Sequence, residues 1–288
     1  MKNIAGINKE SILKWLPWGL LALVYSPVLN ELYRGRWEDI DYTHAYFILP
    51  VSIWLAWRKR KQIKEISSAE AVSRGGIVIW ADIWMIPLIL GSFLLLLGWR
   101  NDYLMLSSIS LILFLSGMIG YLYGWQVVKL LKFPLLYLFL MVPPPIGVLD
   151  SITLPMRNWI SILTEGILKG LHYPIVRDGL LLSIGGHEIY MGAPCSGFRS
   201  LITMIALGLV YAYVIKGPFK KKALLVVSVI PLALLGNLAR VVSMCLVTFY
   251  FGDGIGHTYH DYSGYVIFLV LIAGLVGIEV WLNKIMKK

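Results

Sequence analysis

The chain reads as an all-α polytopic membrane protein of about eight transmembrane helices, with a small amphipathic helix and a β-hairpin on the extracytoplasmic side. Three observations carry that reading. The composition is 58% apolar at a mean hydropathy of +0.74, above what soluble domains hold. Apolar runs of about 20 residues, the length that crosses a bilayer, recur along the chain. Basic clusters stand at one end of these runs, as cytoplasmic ends do. The net charge of +10 therefore reports orientation and anionic headgroups rather than nucleic acid, and no nucleic-acid partner is expected. Short connections favour one integral-membrane domain over residues 1–288.

Taken in order, a basic start precedes the first run, 12–29. No small-x-small cleavage site follows it, so it is expected to stay as an uncleaved first helix with a cytoplasmic N-terminus. A polar stretch, 31–43, leads to the second run, 45–57, which ends at Arg58-Lys59-Arg60-Lys61. Residues 62–76 read as a cytoplasmic loop. The third run, 77–98, carries Asp82 near its inner end, and the fourth, 103–123, holds Gly120 four residues before Gly124, which follows the run, small-xxx-small spacing that suits close helix packing. The fifth, 133–142, stops at Pro143-Pro144-Pro145, because prolines cannot donate helix hydrogen bonds.

Residues 150–192 contain no convincing span. Spaced apolar residues over 154–171 predict a surface-lying amphipathic helix, and two β-like runs around Gly185-Gly186 predict a hairpin. The sixth run, 198–215, ends at Lys216, Lys220, Lys221 and Lys222. The seventh, 223–250, goes outward, and 252–262 reads as a polar outer loop with His257 and His260. The eighth, 265–282, returns to Lys284, Lys287 and Lys288. Eight spans with both termini inside satisfy every basic cluster.

This topology brings three chemically competent residues to one face. Cys195 precedes an inward-going helix, and so does His260. Arg240 lies about 17 residues into an outward-going helix, roughly 25 Å along it and close to the far edge of a hydrocarbon core about 30 Å thick. A thiolate is the reactive form of cysteine, and a helix N-terminus or a nearby cation lowers its pKa. His260 can take the thiol proton and return one to a leaving amine, and Arg240 can stabilise the thiolate or an oxyanion. An arginine at membrane depth is a functional candidate by default. His257 competes as the base. Cys245, inside the seventh run, reads as a packing residue. His257, His260 and Asp261 with Cys195 can be drawn as a metal site, but His-x-x-His has no fixed geometry here, and neither metal nor cofactor is expected.

At these residues the sequence resembles the exosortase family. Cys195-Ser196-Gly197-Phe198-Arg199-Ser200, Asn237-Leu238-Ala239-Arg240 and His260-Asp261-Tyr262-Ser263-Gly264 match its Cys-Ser-Gly-x-Arg-Ser, Asn-x-x-Arg and His-x-x-x-Gly patterns in order. Asp41-Tyr42-Thr43-His44 with Pro50 and Trp57-Arg58-Lys59-Arg60 is a fourth match, one that points to the bacterial enzymes. Pro194, where a small residue is expected, and Ala45, where glycine is usual, depart from the pattern. The resemblance implies a bacterial inner-membrane cysteine protease or transpeptidase, with its site on the periplasmic side. Its partners would be the lipid bilayer and exported proteins bearing a C-terminal Pro-Glu-Pro-type signal and transmembrane helix. Cys195 would be the nucleophile, Arg240 the thiolate or oxyanion stabiliser and His260 the acid/base. Arg199, Ser196, Asn237, His44 and His257 are supporting or substrate-binding candidates, and Arg157 and Arg177 are candidates to read the acidic residue of the signal. The rival is a non-enzymatic transporter or an assembly subunit for surface polysaccharide. Broken helices and an intramembrane Asp82 suit it, whereas the lack of an inverted repeat does not.

Overall fold

The structure, a computed structural model, describes residues 9–37, 42–73, 79–145 and 147–286. It divides into two compact units, one ending at Pro143 and the other beginning at Pro144.

In the first unit, α1 (Lys9–Glu31) runs into a π-helical turn, Leu32–Arg36. A turn at Tyr42-Thr43-His44 then starts α2 (Ala45–Arg58). The stretch expected to be a loop after the Arg58-Lys59-Arg60-Lys61 cluster is a helix instead, α3 (Arg60–Ser73). Nothing in Gln62–Ser73 breaks a helix, and its polar residues are good helix formers. α4 (Ile79–Arg100) and α5 (Leu104–Tyr123) form a closely packed pair. A Cβ on Gly117 would lie 2.9 Å from Leu88 Cγ, and one on Gly91 2.9 Å from the Phe114 nitrogen. Gly120 likewise packs directly against the Trp84 ring, and Gly124, at φ +86, ends α5 as its C-cap. Ile86, Ile89, Phe93 and Leu96 on α4 are exposed, as lipid-facing side chains are. The fifth run is broken as expected: α6 (Trp125–Leu130), α7 (Lys132–Tyr137) and a 3-10 turn (Leu138–Met141) precede the prolines.

The second unit opens with α8 (Val148–Gly170). Its amphipathicity is the reverse of a soluble helix. The buried side carries Thr153, Arg157, Ser161 and Thr164 beside the apolar Ile160 and Leu168, while Leu154, Trp159, Leu163 and Ile167 are exposed. A helix with apolar groups outward suits lipid contact. The expected hairpin is present but has a third strand. β1 (Ile175–Asp178), β2 (Leu181–Ile184) and β3 (His187–Tyr190) form an antiparallel sheet in that order. Gly179 at φ +57 makes the first turn, and Gly185 and Gly186, at φ +58 and +89, make the second, the backbone that two-residue hairpins require. A 3-10 turn, Ala193–Ser196, leads into α9 (Phe198–Val214), followed by α10 (Phe219–Phe251) and α11 (Asp253–Met286). Ile160 and Leu168 of α8, Leu182 and Ile184 of β2 and Val241 and Met244 of α10 make one apolar core, and Cys195 and Cys245 lie in it.

Among the described residues, four segments are long and apolar enough to cross a membrane: Ile83–Arg100, Leu104–Tyr123, Phe219–Phe251 and Tyr262–Met286. Ala45–Arg58, Lys132–Met141 and Phe198–Val214 are apolar but shorter. The protein is thus a helical, multi-pass membrane protein, with four segments of full spanning length and three shorter apolar helices among the described residues. One further difference concerns charge. Lys221, expected to face headgroups, is 4% exposed and paired with Glu279 of α11. Asp82 lies on α4, but its side chain falls outside the described residues, as do Glu38, Asp39 and Asp41 entirely.

Candidate active site

The thiol sits on a turn that several motif residues hold in shape. β3 ends at Tyr190, Gly192 is extended, and Pro194 occupies the first turn of the 3-10 segment, where a missing N–H costs nothing. The Cys195 N–H donates to Gly192 O at 3.0 Å. Gly197 then reverses the chain at φ +76 and caps α9. Two constraints demand glycine there. Its φ is left-handed, and a Cβ would stand 2.7 Å from Asn237 Cγ. That approach lets Asn237 Nδ2 donate to Cys195 O at 2.9 Å, so the first and second motifs lock together. Ser196 is buried and its Oγ accepts from the Phe198 N–H at 3.1 Å. Asn237 and Ser196 therefore shape the turn.

Arg240 gathers the remaining pieces. Its Nη1 donates to Pro194 O at 3.2 Å and its Nε to Ser263 Oγ at 3.1 Å. Its Nη2 lies 2.9 Å from His260 O and 3.4 Å from His260 Nδ1. One planar guanidinium thus joins the cysteine turn to α11, a task suited to its fixed fork of donors. His260 is not in a loop, as the polarity of 252–262 suggested. α11 begins at Asp253 and carries His260 within its first turns, just before the spanning segment Tyr262–Met286. The helix is polar there because those turns precede the span. Ser263, one helical turn on from His260 and buried, was the partner that sequence reasoning missed. The i, i+3 spacing from His260 was its only signal. Gly264 is not required by space, since a Cβ there would meet Arg240 Cζ at an ordinary 4.0 Å.

Cys195 and His260 line the same cavity of about 300 Å³, with Gly192, Pro194, the β3 residues Glu188 to Tyr190, and Met244 and Thr248 of α10. Asp253 is at its rim, bonded to His187 Nδ1 at 3.0 Å. The expected drop in the thiol's pKa is not what the resting site shows. Cys195 is 3% exposed, and burial pushes its pKa up, while Arg240, the Gly192 backbone N–H and Arg157 pull it back. Desolvation wins because the sulfur belongs to the apolar core.

The other candidates are dispersed. Arg199 is exposed on the first turn of α9 and does not line the cavity. His44 belongs to the first unit, where it is buried before α2 and its Nε2 meets Leu140 O at 3.2 Å. His257 continues α11, but its side chain, like that of Asp261, falls outside the described residues. Arg177 is committed within the unit, to Glu165, Gly179 O and Asn158, and Lys169, followed by Arg177, holds the Glu165 carboxyl below its usual range. Arg157 is buried on α8, donating to Thr153 Oγ1 at 2.9 Å. Arg157 also meets Asp150 at 3.5 Å, and among the described residues its buried Nε has no hydrogen-bond partner. Among the described residues no three His, Cys, Asp or Glu side chains gather as a metal site.

Neither the curated proteins nor the solved structures contain a match to the chain. The family model for transmembrane exosortases matches residues 37–277. That stretch runs through all the motif residues from His44 to Gly264, so the chain belongs to the transmembrane exosortase family.

Proposed function

We propose that the protein is a membrane-embedded cysteine protease or transpeptidase that cleaves exported proteins at a C-terminal Pro-Glu-Pro-type signal. One observation carries this: a single guanidinium bridges the cysteine turn and a histidine at a shared cavity. Family membership supports a membrane transpeptidase role in general.

Arginine can only donate, so where Arg240 Nη2 meets His260 Nδ1 the ring offers a lone pair and its neutral form carries hydrogen on Nε2. Substrate arrival redirects that Nη2 hydrogen to the polarised carbonyl oxygen and frees Nδ1 as the base. The thiol proton moves to Nδ1, the S–C bond forms, and Arg240 faces the oxyanion. Collapse breaks the C–N bond, with the imidazolium proton leaving on the amine. An amine or water then attacks the thioester, passes its proton to His260 and releases the sulfur. The remaining particulars belong to the same reading: eight crossings, cytoplasmic termini, a periplasmic site in a bacterial inner membrane, and one functional domain over 1–288. α9 supports the placement. Its 17 residues extend roughly 25 Å, which carries Cys195 from the lysine-rich end to near the opposite edge of the hydrocarbon layer.

The test co-expresses a tagged reporter bearing a Pro-Glu-Pro junction and membrane helix with wild type and with Cys195→Ala, Arg240→Ala and His260→Ala. Trimming by wild type and by none of the three variants is expected. Trimming by Cys195→Ala ends the reading, and loss confined to His257→Ala reassigns the base.

A further inference from the structure

The cavity wall contains Glu188, Ile189 and Tyr190 in succession. Side chains of a strand alternate between its two faces, so three neighbours can line one cavity only if it lies against the strand's edge. β3 is that edge strand, paired with β2 alone. Its register decides which backbone groups face out. Leu181 is opposite Tyr190 and Ser183 opposite Glu188, and Met191 N–H donates to Leu180 O at 2.8 Å. Hydrogen-bonded pairs alternate in an antiparallel ladder. His187, Ile189 and Met191 therefore turn their backbone groups to β2, and Glu188 and Tyr190 turn theirs away. Tyr190 O takes the Gly192 N–H at 2.9 Å. Among the described residues, the N–H groups of Glu188 and Tyr190 and the Glu188 carbonyl have no backbone partner. The opposite wall is α10 and the start of α11, and the cavity runs on past Gly192 and Pro194 to Cys195.

We propose that the substrate binds as an extended segment added to the free edge of β3, in the slot between β3 and α11, which delivers its scissile carbonyl to Cys195. The occupant is peptide backbone and not a helix or a small solute, because the slot offers main-chain donors and an acceptor at strand spacing, and strand addition uses those groups. A free edge left open to water invites aggregation, whereas one that leads into a nucleophile's cavity is a guide. The idea rests on the proteolytic reading above, and its test separates the two.

Cysteines are placed one at a time along the junction of the tagged Pro-Glu-Pro reporter. They are paired with Glu188→Cys in a Cys195→Ala background, which holds the reporter without cutting it. Cross-links at alternate reporter positions are expected. Cross-links at every third or fourth position, none at all, or disulfides between two copies of the enzyme through position 188 would overturn the proposal, whether or not wild type cuts. In an otherwise wild-type chain, Glu188→Pro deletes an outward N–H and spares the β2 ladder, since edge strands accept proline. It should cut the reporter about tenfold more slowly than Glu188→Ala, the scale of one or two lost hydrogen bonds. Equal rates in the two variants would overturn strand addition. Alternate cross-links in the Cys195→Ala background together with a wild type that never cuts the reporter sink the proteolytic reading alone.

Discussion

Two helix pairs in this protein are built on different physics. α4 and α5 meet through glycines against Leu88, Phe114 and Trp84, and the Ser92 and Ser116 hydroxyls turn back to their own helices. α10 and α11 also use close approaches, with Gly236 against Leu271 and Gly274 against Leu232. They add charged and polar ties at both ends: Lys221 with Glu279, Ser243 with Tyr259, and Arg240 with His260 and Ser263. Lipid-embedded helices associate by packing alone, and small residues suffice for that. Ionic groups at membrane depth are expensive and persist where they act. The first pair is scaffold. The second carries a structural ion pair at one end and the candidate chemistry at the other.

The sharpest way to break this contrast is Arg240→Lys. An ammonium on a flexible stem cannot hold Pro194 O, Ser263 and His260 together, so reporter cleavage should fall at least about a hundredfold, as loss of an oxyanion donor does. Activity near wild type would mean that charge alone matters and the bridge does not. Next in size is Gly197→Ala, which forces a left-handed φ and pushes on Asn237. Cleavage should drop by about tenfold or more, consistent with a misfit costing over 1 kcal/mol. Adding Asn237→Ala should recover part of it only if the clash matters as well as the φ.

The pH dependence of Cys195 alkylation by a small maleimide tests the electrostatics. Burial holds the thiol above its ordinary value and Arg240 pulls down, so the rate should climb with pH through the alkaline range. Removing Arg240 removes a downward pull, so Arg240→Ala shifts that curve to still higher pH. Arg157→Gln shifts it the same way but less, and a shift toward lower pH in either variant contradicts the assignment. The smallest effect belongs to Lys221→Met at the structural end of α10 and α11. It should lower the melting temperature by a few degrees, the scale of about 1 kcal/mol, while cleavage per folded molecule stays put. A loss of turnover without loss of stability would merge the two ends of the pair.

Much of the helical framework in both units was legible. Hydropathy located α4, α5, α9 and α10 to within a few residues, because a bilayer-length apolar run has few alternatives. Gly185-Gly186 announced its hairpin. Three features were not legible. β1 is four residues long and has no alternating pattern of its own to reveal it. The start of α11 is as polar as a loop because it precedes the spanning segment. Lys221 looks in sequence like its neighbours Lys220 and Lys222, and only the position of Glu279 buries it.

The residue types needed for a thiol reaction and the membrane class follow from the chain alone, since polar groups beside apolar runs are costly enough to be informative. Which groups touch was decided in three dimensions. Asn237 and Arg240 reach the Cys195 turn across more than forty positions, His260 is set by helical phase, and the thiol's resting protonation follows from burial that no local pattern records. Long-range packing sets distances and desolvation, and both depend on neighbours far off in sequence.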